Sequence, residues 1–113
     1  MTRLEALIDL RDKVKAGEFP RWVVAAKAIG LNQDDRHIKA YQSFHGSLDA
    51  ALALHEAVLP EWSVEVFNLS GEVVLRKNRP VDTAYGEALR SGLVARAWLI
   101  AILESLIAQE RDV

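Results

Sequence analysis

The sequence offers few side chains that could carry out chemistry at neutral pH. It contains three histidines, His37, His45 and His55, and no cysteine. Neither an HExxH motif nor two histidines at i, i+4 spacing occurs, so the pattern that presents two metal ligands on one helix face is missing. We therefore predict neither a metal site nor a cofactor. His55 is expected at the edge of the apolar face of a helix, and His37 and His45 in a polar loop.

Nucleophilic and acid–base catalysis find equally little support. Ser70 lies in Leu-Ser-Gly-Glu, without the GxSxG surroundings of a nucleophile elbow, and fits a hairpin turn. Asp34 and Asp35 are adjacent in a polar segment, where carboxylates are solvated or cap a helix. The six glycines are scattered singly, so no glycine-rich loop is available to cradle a phosphate. The sequence predicts a protein that is not an enzyme.

The remaining candidates for functional residues are cations that alternate with aromatic residues along the sequence. Arginine holds phosphate through two parallel hydrogen bonds, and aromatic rings stack on nucleobases. We predict that a small anionic, nucleotide-like ligand is bound by members of one set: Arg76, Lys77, Arg79, Tyr85, Arg90 and Arg96. A similar group lies in the middle of the chain: Arg36, Lys39, Tyr41 and Phe44. The alternative for all of these cations is a solvated surface or an ion pair.

Length and composition limit the class of protein and its partners. The 113 residues, 50% of them hydrophobic and 27% charged, fit one globular domain over residues 1–113. A net charge of −2 supplies no positive field for a polyphosphate backbone, so a nucleic-acid binder is not expected. Arg3, Glu5 and Asp9 interrupt the apolar start of the chain, unlike a signal peptide, which predicts a cytoplasmic protein. The most apolar segment, residues 93–108, is shorter than the roughly 20 residues needed to cross a bilayer, so no membrane partner is expected.

Hydrophobic periodicity predicts two helices before residue 30. Residues 2–16 are amphipathic, with Thr2 as N-cap and Gly17 as C-cap, and residues 21–29 form a short second helix. Residues 31–46 follow no clean period and are predicted to be a loop with one helical turn.

A third helix is predicted over residues 47–59. Ser47 can accept a hydrogen bond from a free backbone N–H at its start, and Pro60 ends it by excluding helical geometry from the preceding residue. Its core face is expected to consist of Leu48, Ala51, Leu52, His55 and Leu59, with Leu54 and Val58 widening the apolar stripe.

After Pro60 the hydrophobic period changes from 3.6 to 2, which predicts a β-hairpin. Ser70-Gly71 is expected to form the whole turn, and the register that follows pairs Glu65 with Arg76. It also pairs Phe67 with Val74 on the outer face of the sheet. Apolar side chains in such a position favour an interface. The predicted interface residues are Phe67, Val74 and Trp98.

Two further elements complete the predicted fold. Residues 81–87 form a third, weaker strand, and residues 91–109 form a helix that is apolar on most sides. More than one neighbour must cover such a helix, either the sheet and another helix or a second subunit. We expect it to make the protein self-associate into a homo-oligomer.

Three local sequences resemble a family of phage proteins. They are the capped helix start Gly46-Ser47-Leu48-Asp49-Ala50-Ala51-Leu52, the strand entry Leu59-Pro60-Glu61-Trp62, and Tyr85-Gly86-Glu87-Ala88 before the last helix. Together, over about residues 46–107, they are similar to small proteins of phages and prophages with the phage ABA-sandwich domain. The resemblance implies an α/β sandwich and a phage or prophage origin, and it carries no established activity.

These observations predict an α+β fold in which helices pack on a small antiparallel sheet, in the order α-α-α-β-β-(β)-α. The expected function is that of a non-enzymatic phage or prophage accessory protein that acts by binding in the host-cell cytoplasm. Its target is either a small anionic, nucleotide-like signal, sequestered by an oligomer with an anti-defence role, or a host protein. The alternative is a minor structural or assembly component of a phage-like particle.

Overall fold

The described part of the chain forms five α-helices and one three-stranded antiparallel sheet in a computed structural model. The structure describes residues 2–30, 36–67, 72–76, 83–87 and 94–111, and only the backbone of residues 22, 66, 67, 72, 76 and 83–87. The elements are α1 (Arg3–Lys15), α2 (Trp22–Ile29), α3 (Arg36–Phe44), α4 (Leu48–Val58), β1 (Ser63–Phe67), β2 (Glu72–Arg76), β3 (Thr83–Glu87) and α5 (Val94–Arg111). The predicted α+β class is confirmed, with one more helix before the sheet than expected.

The residues predicted to cap the two ends of α1, Thr2 and Gly17, do so. The Thr2 hydroxyl accepts a hydrogen bond from the Glu5 N–H at 3.1 Å, and the Glu5 carboxylate accepts one from the Thr2 N–H at 3.0 Å, which completes a capping box. Hydrogen bonds from Thr2 to the Glu5 carboxylate hold the pKa of Glu5 below its ordinary value. The bond from the Thr2 backbone has the larger effect, and the bond from the Thr2 side chain adds to it. At the other end, Gly17 adopts a φ of 84°, where a side chain would be strained.

The segment predicted as a loop contains a helix, α3, so this prediction was wrong. Its buried side chains are His37, Ala40, Ser43 and Phe44, which lie on one face at helical spacing. Two of the four are polar, so a search for apolar periodicity does not detect the face. His37, expected in a polar loop, is therefore only 8% exposed on α3.

The predicted start and end of α4 are confirmed, and so is the burial of Ala51, His55 and Leu59, but two of the predicted core residues are wrong. The Ser47 hydroxyl accepts a hydrogen bond from the Ala50 N–H at 3.1 Å, and the helix ends just before Leu59. Leu48 and Leu52, placed in the core by the sequence analysis, are 53% and 44% exposed. The helix has apolar residues around most of its circumference, so periodicity alone does not fix its orientation. The residues that are buried are Ala50, Ala51, Leu54 and His55.

The sheet has strand order β1-β2-β3, which confirms the third strand, but its first hairpin has a different register from the predicted one. Arg76 is opposite Ser63, Glu65 is opposite Val74, and Phe67 is opposite Glu72. The predicted Glu65–Arg76 and Phe67–Val74 pairs are therefore wrong, and the predicted turn Ser70-Gly71 lies outside the described residues. The observed pairs differ from the predicted ones by two positions, so Val64 is still opposite a residue of its own predicted face, Leu75.

The apolar helix α5 is covered within a single chain. It contacts β2 and β3 of the sheet as well as α1, α3 and α4. Most of its residues are buried, including Leu99, Ile102 and Leu103 at 0% exposure. Of the two predicted arrangements, the observed one is that in which the sheet and other helices of the same chain cover α5. The apolarity of α5 therefore does not require a second subunit. In the part of the chain that the structure describes, no helix has the length and apolarity to cross a membrane.

Candidate functional site

The site begins with a tight connection between α3 and α4. Gly46 adopts a φ of 104° after the last turn of α3 and donates its N–H to the Ser43 carbonyl at 3.0 Å, while the Ser47 N–H reaches the Gln42 carbonyl at 3.0 Å. These two bonds form a Schellman motif, which needs a residue that tolerates positive φ. Ser47 both completes this C-cap and N-caps α4. The end of α3 and the start of α4 are therefore held at a fixed angle.

An open cleft of about 530 Å³ lies at this connection. Its volume falls in the range of about 300–1,000 Å³ that is typical of small-molecule sites. The described residues that line it are Lys39, Tyr41, Gln42, His45, Ser47, Asp49 and Ala50. Within the described chain they contribute an ammonium group, a carboxylate, two aromatic rings and a side-chain amide.

The aromatic rings of the cleft belong to a cluster that extends into the core. The Tyr41 ring lies 4.5 Å from the His45 ring and 5.3 Å from the Phe19 ring, with an edge-to-face arrangement in each pair. The His45 ring also lies 5.0 Å from that of Phe44, which is buried. Edge-to-face pairs at this separation are favourable, so the cluster orients the Tyr41 ring. That ring remains 41% exposed and can stack on a planar group.

Lys39 provides the positive charge of the cleft and Asp49 the negative one. The Lys39 ammonium can attract a phosphate or carboxylate group. Gln42 and Asp49 offer acceptors for N–H or O–H groups of the same ligand, and Gln42 also offers donors. A ligand with an anionic end and a planar, hydrogen-bonding ring matches this set of groups.

The cleft contains the residue types of a hydrolytic triad but not the contacts. Ser47, His45 and Asp49 all line it, yet no hydrogen bond joins any two of them in the described part of the chain. The Ser47 hydroxyl already accepts the Ala50 N–H as a helix cap. An activated serine needs a base within hydrogen-bond reach and a third group that orients this base. Nor do the described residues include three or more acidic or histidine side chains close enough to share a metal ion.

Arg96, predicted as a ligand-binding residue, stabilises the end of α3. Its guanidinium carbon lies 4.1 Å from the centroid of the Phe44 ring, and its Nε donates to the Phe44 carbonyl at 3.1 Å. A cation at the C-terminus of a helix satisfies a free carbonyl and complements the helix dipole. Ser43 adds a second link to α5, because its hydroxyl donates to the Ala95 carbonyl at 2.7 Å. Arg96 therefore braces the helix that carries Lys39 and Tyr41.

The structure leaves most of the other predicted ligand residues undescribed. Lys77, Arg79 and Arg90 lie outside the described residues. The backbone of Arg76 is paired with Ser63 and Thr83, and that of Tyr85 with Val74, but their side chains lie outside the description as well. Arg96 is the one residue of this predicted set whose side chain the structure describes.

The predicted interface residues are largely buried within the chain. Val74 is 8% exposed and Trp98 is 7% exposed, so neither presents much surface to a partner. Phe67 lies at the end of β1, and its side chain is outside the described residues.

Trp98 instead takes part in a buried network with His55. The Trp98 indole Nε1–H donates to His55 Nδ1 at 3.1 Å, and His55 Nε2 lies 2.7 Å from the Trp62 carbonyl oxygen. An indole N–H can only donate and a carbonyl can only accept, so His55 is neutral with its proton on Nε2. His55 is 5% exposed and links α4, α5 and the entry to β1.

Sequence reasoning identified Lys39 and Tyr41 as a cation and a ring, but missed the other polar residues of the cleft. His45 follows Tyr41 by one helical turn, and this i, i+4 spacing was the available signal. This spacing indicates that the two rings lie on one face only once α3 is known to be a helix. Comparison of the chain with known protein families, curated proteins and solved structures finds no match.

Proposed function

We propose that this protein is a non-enzymatic binding protein that holds a small anionic ligand with a planar ring, of the nucleotide kind, in the α3–α4 cleft. One observation carries the proposal: the Lys39 ammonium and the exposed, oriented Tyr41 ring line the same cleft of about 530 Å³. An ammonium and a stacking ring are the two groups that recognise a phosphate and a nucleobase. The lack of hydrogen bonds among His45, Ser47 and Asp49 in the described chain supports binding without turnover.

The setting that we propose for this binding is a phage or prophage. It rests on the resemblance of the capped helix start and the Leu59-Pro60-Glu61-Trp62 entry to phage ABA-sandwich proteins. In that setting, the protein would act in the host-cell cytoplasm by sequestering a nucleotide signal. Capture of the ligand, rather than its conversion, would then be the whole activity.

Thermal unfolding with a panel of nucleoside mono-, di- and triphosphates tests the proposal. A ligand that binds only the native state adds about 2.7 kcal/mol of stability at a hundredfold excess over its Kd. For a domain of about 100 residues this raises the melting temperature by about 10 °C or more. A panel in which no nucleotide raises the melting temperature contradicts the proposal.

Two variants localise the binding. Lys39→Ala removes the cation and should weaken binding about 10- to 150-fold, since hydrogen bonds to charged groups contribute about 1.5–3 kcal/mol. Tyr41→Leu removes the ring and should weaken it about 5- to 150-fold, because stacking of one base contributes about 1–3 kcal/mol. Tyr41→Phe keeps the ring and should retain most of the affinity.

Lys15→Ala is the matched control. It removes the same charge at an exposed ion pair between α1 and α5, 3.1 Å from Glu104, where such a pair contributes little to stability. Equal weakening by Lys15→Ala and Lys39→Ala would show that net charge, and not the cleft, governs binding.

A further inference from the structure

Two exposed helix faces of this chain are complementary. On α4, Leu48 and Leu52 are 53% and 44% exposed, and Asp49 and Glu56 are exposed as well. At about 100° per residue these four positions fall within roughly 100° of the helix circumference, so they form one face, which we call the α4 face. The helix carries no lysine or arginine, so this face is acidic with an apolar centre.

The second face lies on α2. Val23 is 78% exposed, and Lys27, one turn further along, lies about 40° from it around the helix and is exposed as well. We call these two residues the α2 face. The helix carries no acidic residue, so this face pairs a cation with an apolar side chain.

The three charged side chains of the two faces have no partner within the described part of the chain. Lys27, Asp49 and Glu56 take part in none of the ion pairs there, which join other residues. Charges that flank an exposed apolar side chain, and that no neighbour neutralises, are available to a partner of opposite sign.

The spacing of the charge and the apolar side chain also matches. Lys27 follows Val23 by four residues and Glu56 follows Leu52 by four, so each pair spans about 6 Å along one side of its helix. When one face lies along the other with the two helices parallel, Lys27 can meet Glu56 while Val23 covers Leu52.

We propose that copies of this chain associate head to tail, with the α4 face of one copy on the α2 face of the next. Both faces are exposed in a single chain, so they do not cover each other. A contact between two different faces leaves one free face at each end of a dimer and therefore extends into a ring or an open chain. The inference does not depend on the proposed ligand: Asp49 is common to the cleft and the α4 face, but Lys27 and Glu56, on which the test rests, do not line the cleft.

Two charge reversals, each on one face, test this arrangement by sedimentation velocity at low ionic strength. Wild-type protein should associate in a concentration-dependent way, and less so as salt is added. Lys27→Glu disrupts only the α2 face and Glu56→Lys only the α4 face, so each variant alone should be monomeric. An equimolar mixture of the two should associate again, because the intact α4 face of one variant meets the intact α2 face of the other.

Glu18→Lys is the control, since it makes the same charge change at an exposed residue outside both faces and should associate like wild type. Lys27→Ala, which removes the cation without adding a carboxylate, replaces Lys27→Glu if the latter melts early. The proposal is overturned by a wild type that stays monomeric at every concentration, or by a mixture that does not associate. A single variant that still forms dimers would also overturn it, because this indicates a contact between two identical faces.

Discussion

The buried hydrogen bond between Trp98 and His55 can be measured in isolation by a double-mutant cycle. The indole Nε1–H is 3.1 Å from His55 Nδ1, and both side chains are more than nine-tenths buried. Each atom depends on the other, since no water can replace a missing partner at low cost in such a site. We expect this pair to be energetically coupled.

The size of the coupling follows from the groups that each substitution leaves unpaired. Trp98→Phe leaves His55 Nδ1 as a buried acceptor without a donor, at a cost of about 1–3 kcal/mol beyond the loss of ring volume. His55→Leu leaves the indole N–H without an acceptor at a similar cost, and also removes the donor to the Trp62 carbonyl. The double variant contains neither unpaired atom. Each single variant incurs one penalty that the double variant escapes, so the double variant should be less destabilised than the sum of the single variants by about 2–6 kcal/mol.

Urea unfolding followed by far-ultraviolet circular dichroism supplies the four free energies of the cycle. This probe does not depend on Trp98 fluorescence, which the substitutions change. A cycle between Thr2→Ala and Trp98→Phe is the control and should be additive, because Thr2 caps α1 and makes no contact with the network. Additivity within about 0.5 kcal/mol for His55 and Trp98 would refute the hydrogen bond and the neutral Nε2–H form of His55.

Three further predictions concern the fold. Gly46→Ala should lower stability by about 1–2 kcal/mol in thermal unfolding, because alanine is strained at a φ of 104°; an unchanged melting temperature would show that the α3–α4 connection does not need this conformation. Leu103→Asp should destabilise by at least about 4 kcal/mol, since it places a carboxylate at a position with 0% exposure; wild-type melting would contradict the placement of α5. The lowered pKa of Glu5 gives stability that is complete above about pH 4.5 and is lost as the pH falls through the folded-state value. Thr2→Ala should therefore flatten the acid side of a plot of melting temperature against pH, and an identical acid side in both proteins would contradict the capping box.

Local signals in the sequence predicted the elements that depend on local physics. Thr2 and Ser47 cap their helices through their own hydroxyl groups, and the alternation of side chains after Pro60 is a property of any half-buried strand. These features do not depend on the rest of the fold, so periodicity and capping rules identify them. The uniform apolarity of α5 similarly predicted a helix with several neighbours, but not whether they come from the same chain.

The candidate site could not be predicted because it depends on packing. Its helix, α3, buries His37 and Ser43 beside apolar residues, so polarity does not reveal its inner face. Orienting α4 requires knowing that Ala50, rather than Leu48 and Leu52, packs inward. Only this choice places Asp49 and Ser47 in a cleft with residues of α3.

A nuclear magnetic resonance titration of ¹⁵N-labelled wild-type protein tests the central claim most directly. The titrant is the nucleotide of the panel that raises the melting temperature most, with inorganic phosphate as a second probe. If the α3–α4 cleft binds this ligand, the amide signals that move most will belong to Lys39, Gln42, His45, Ser47 and Asp49, and phosphate alone will move them less. If these signals stay in place while the nucleotide is added, or if the shifts map to another part of the chain, the cleft is not the binding site.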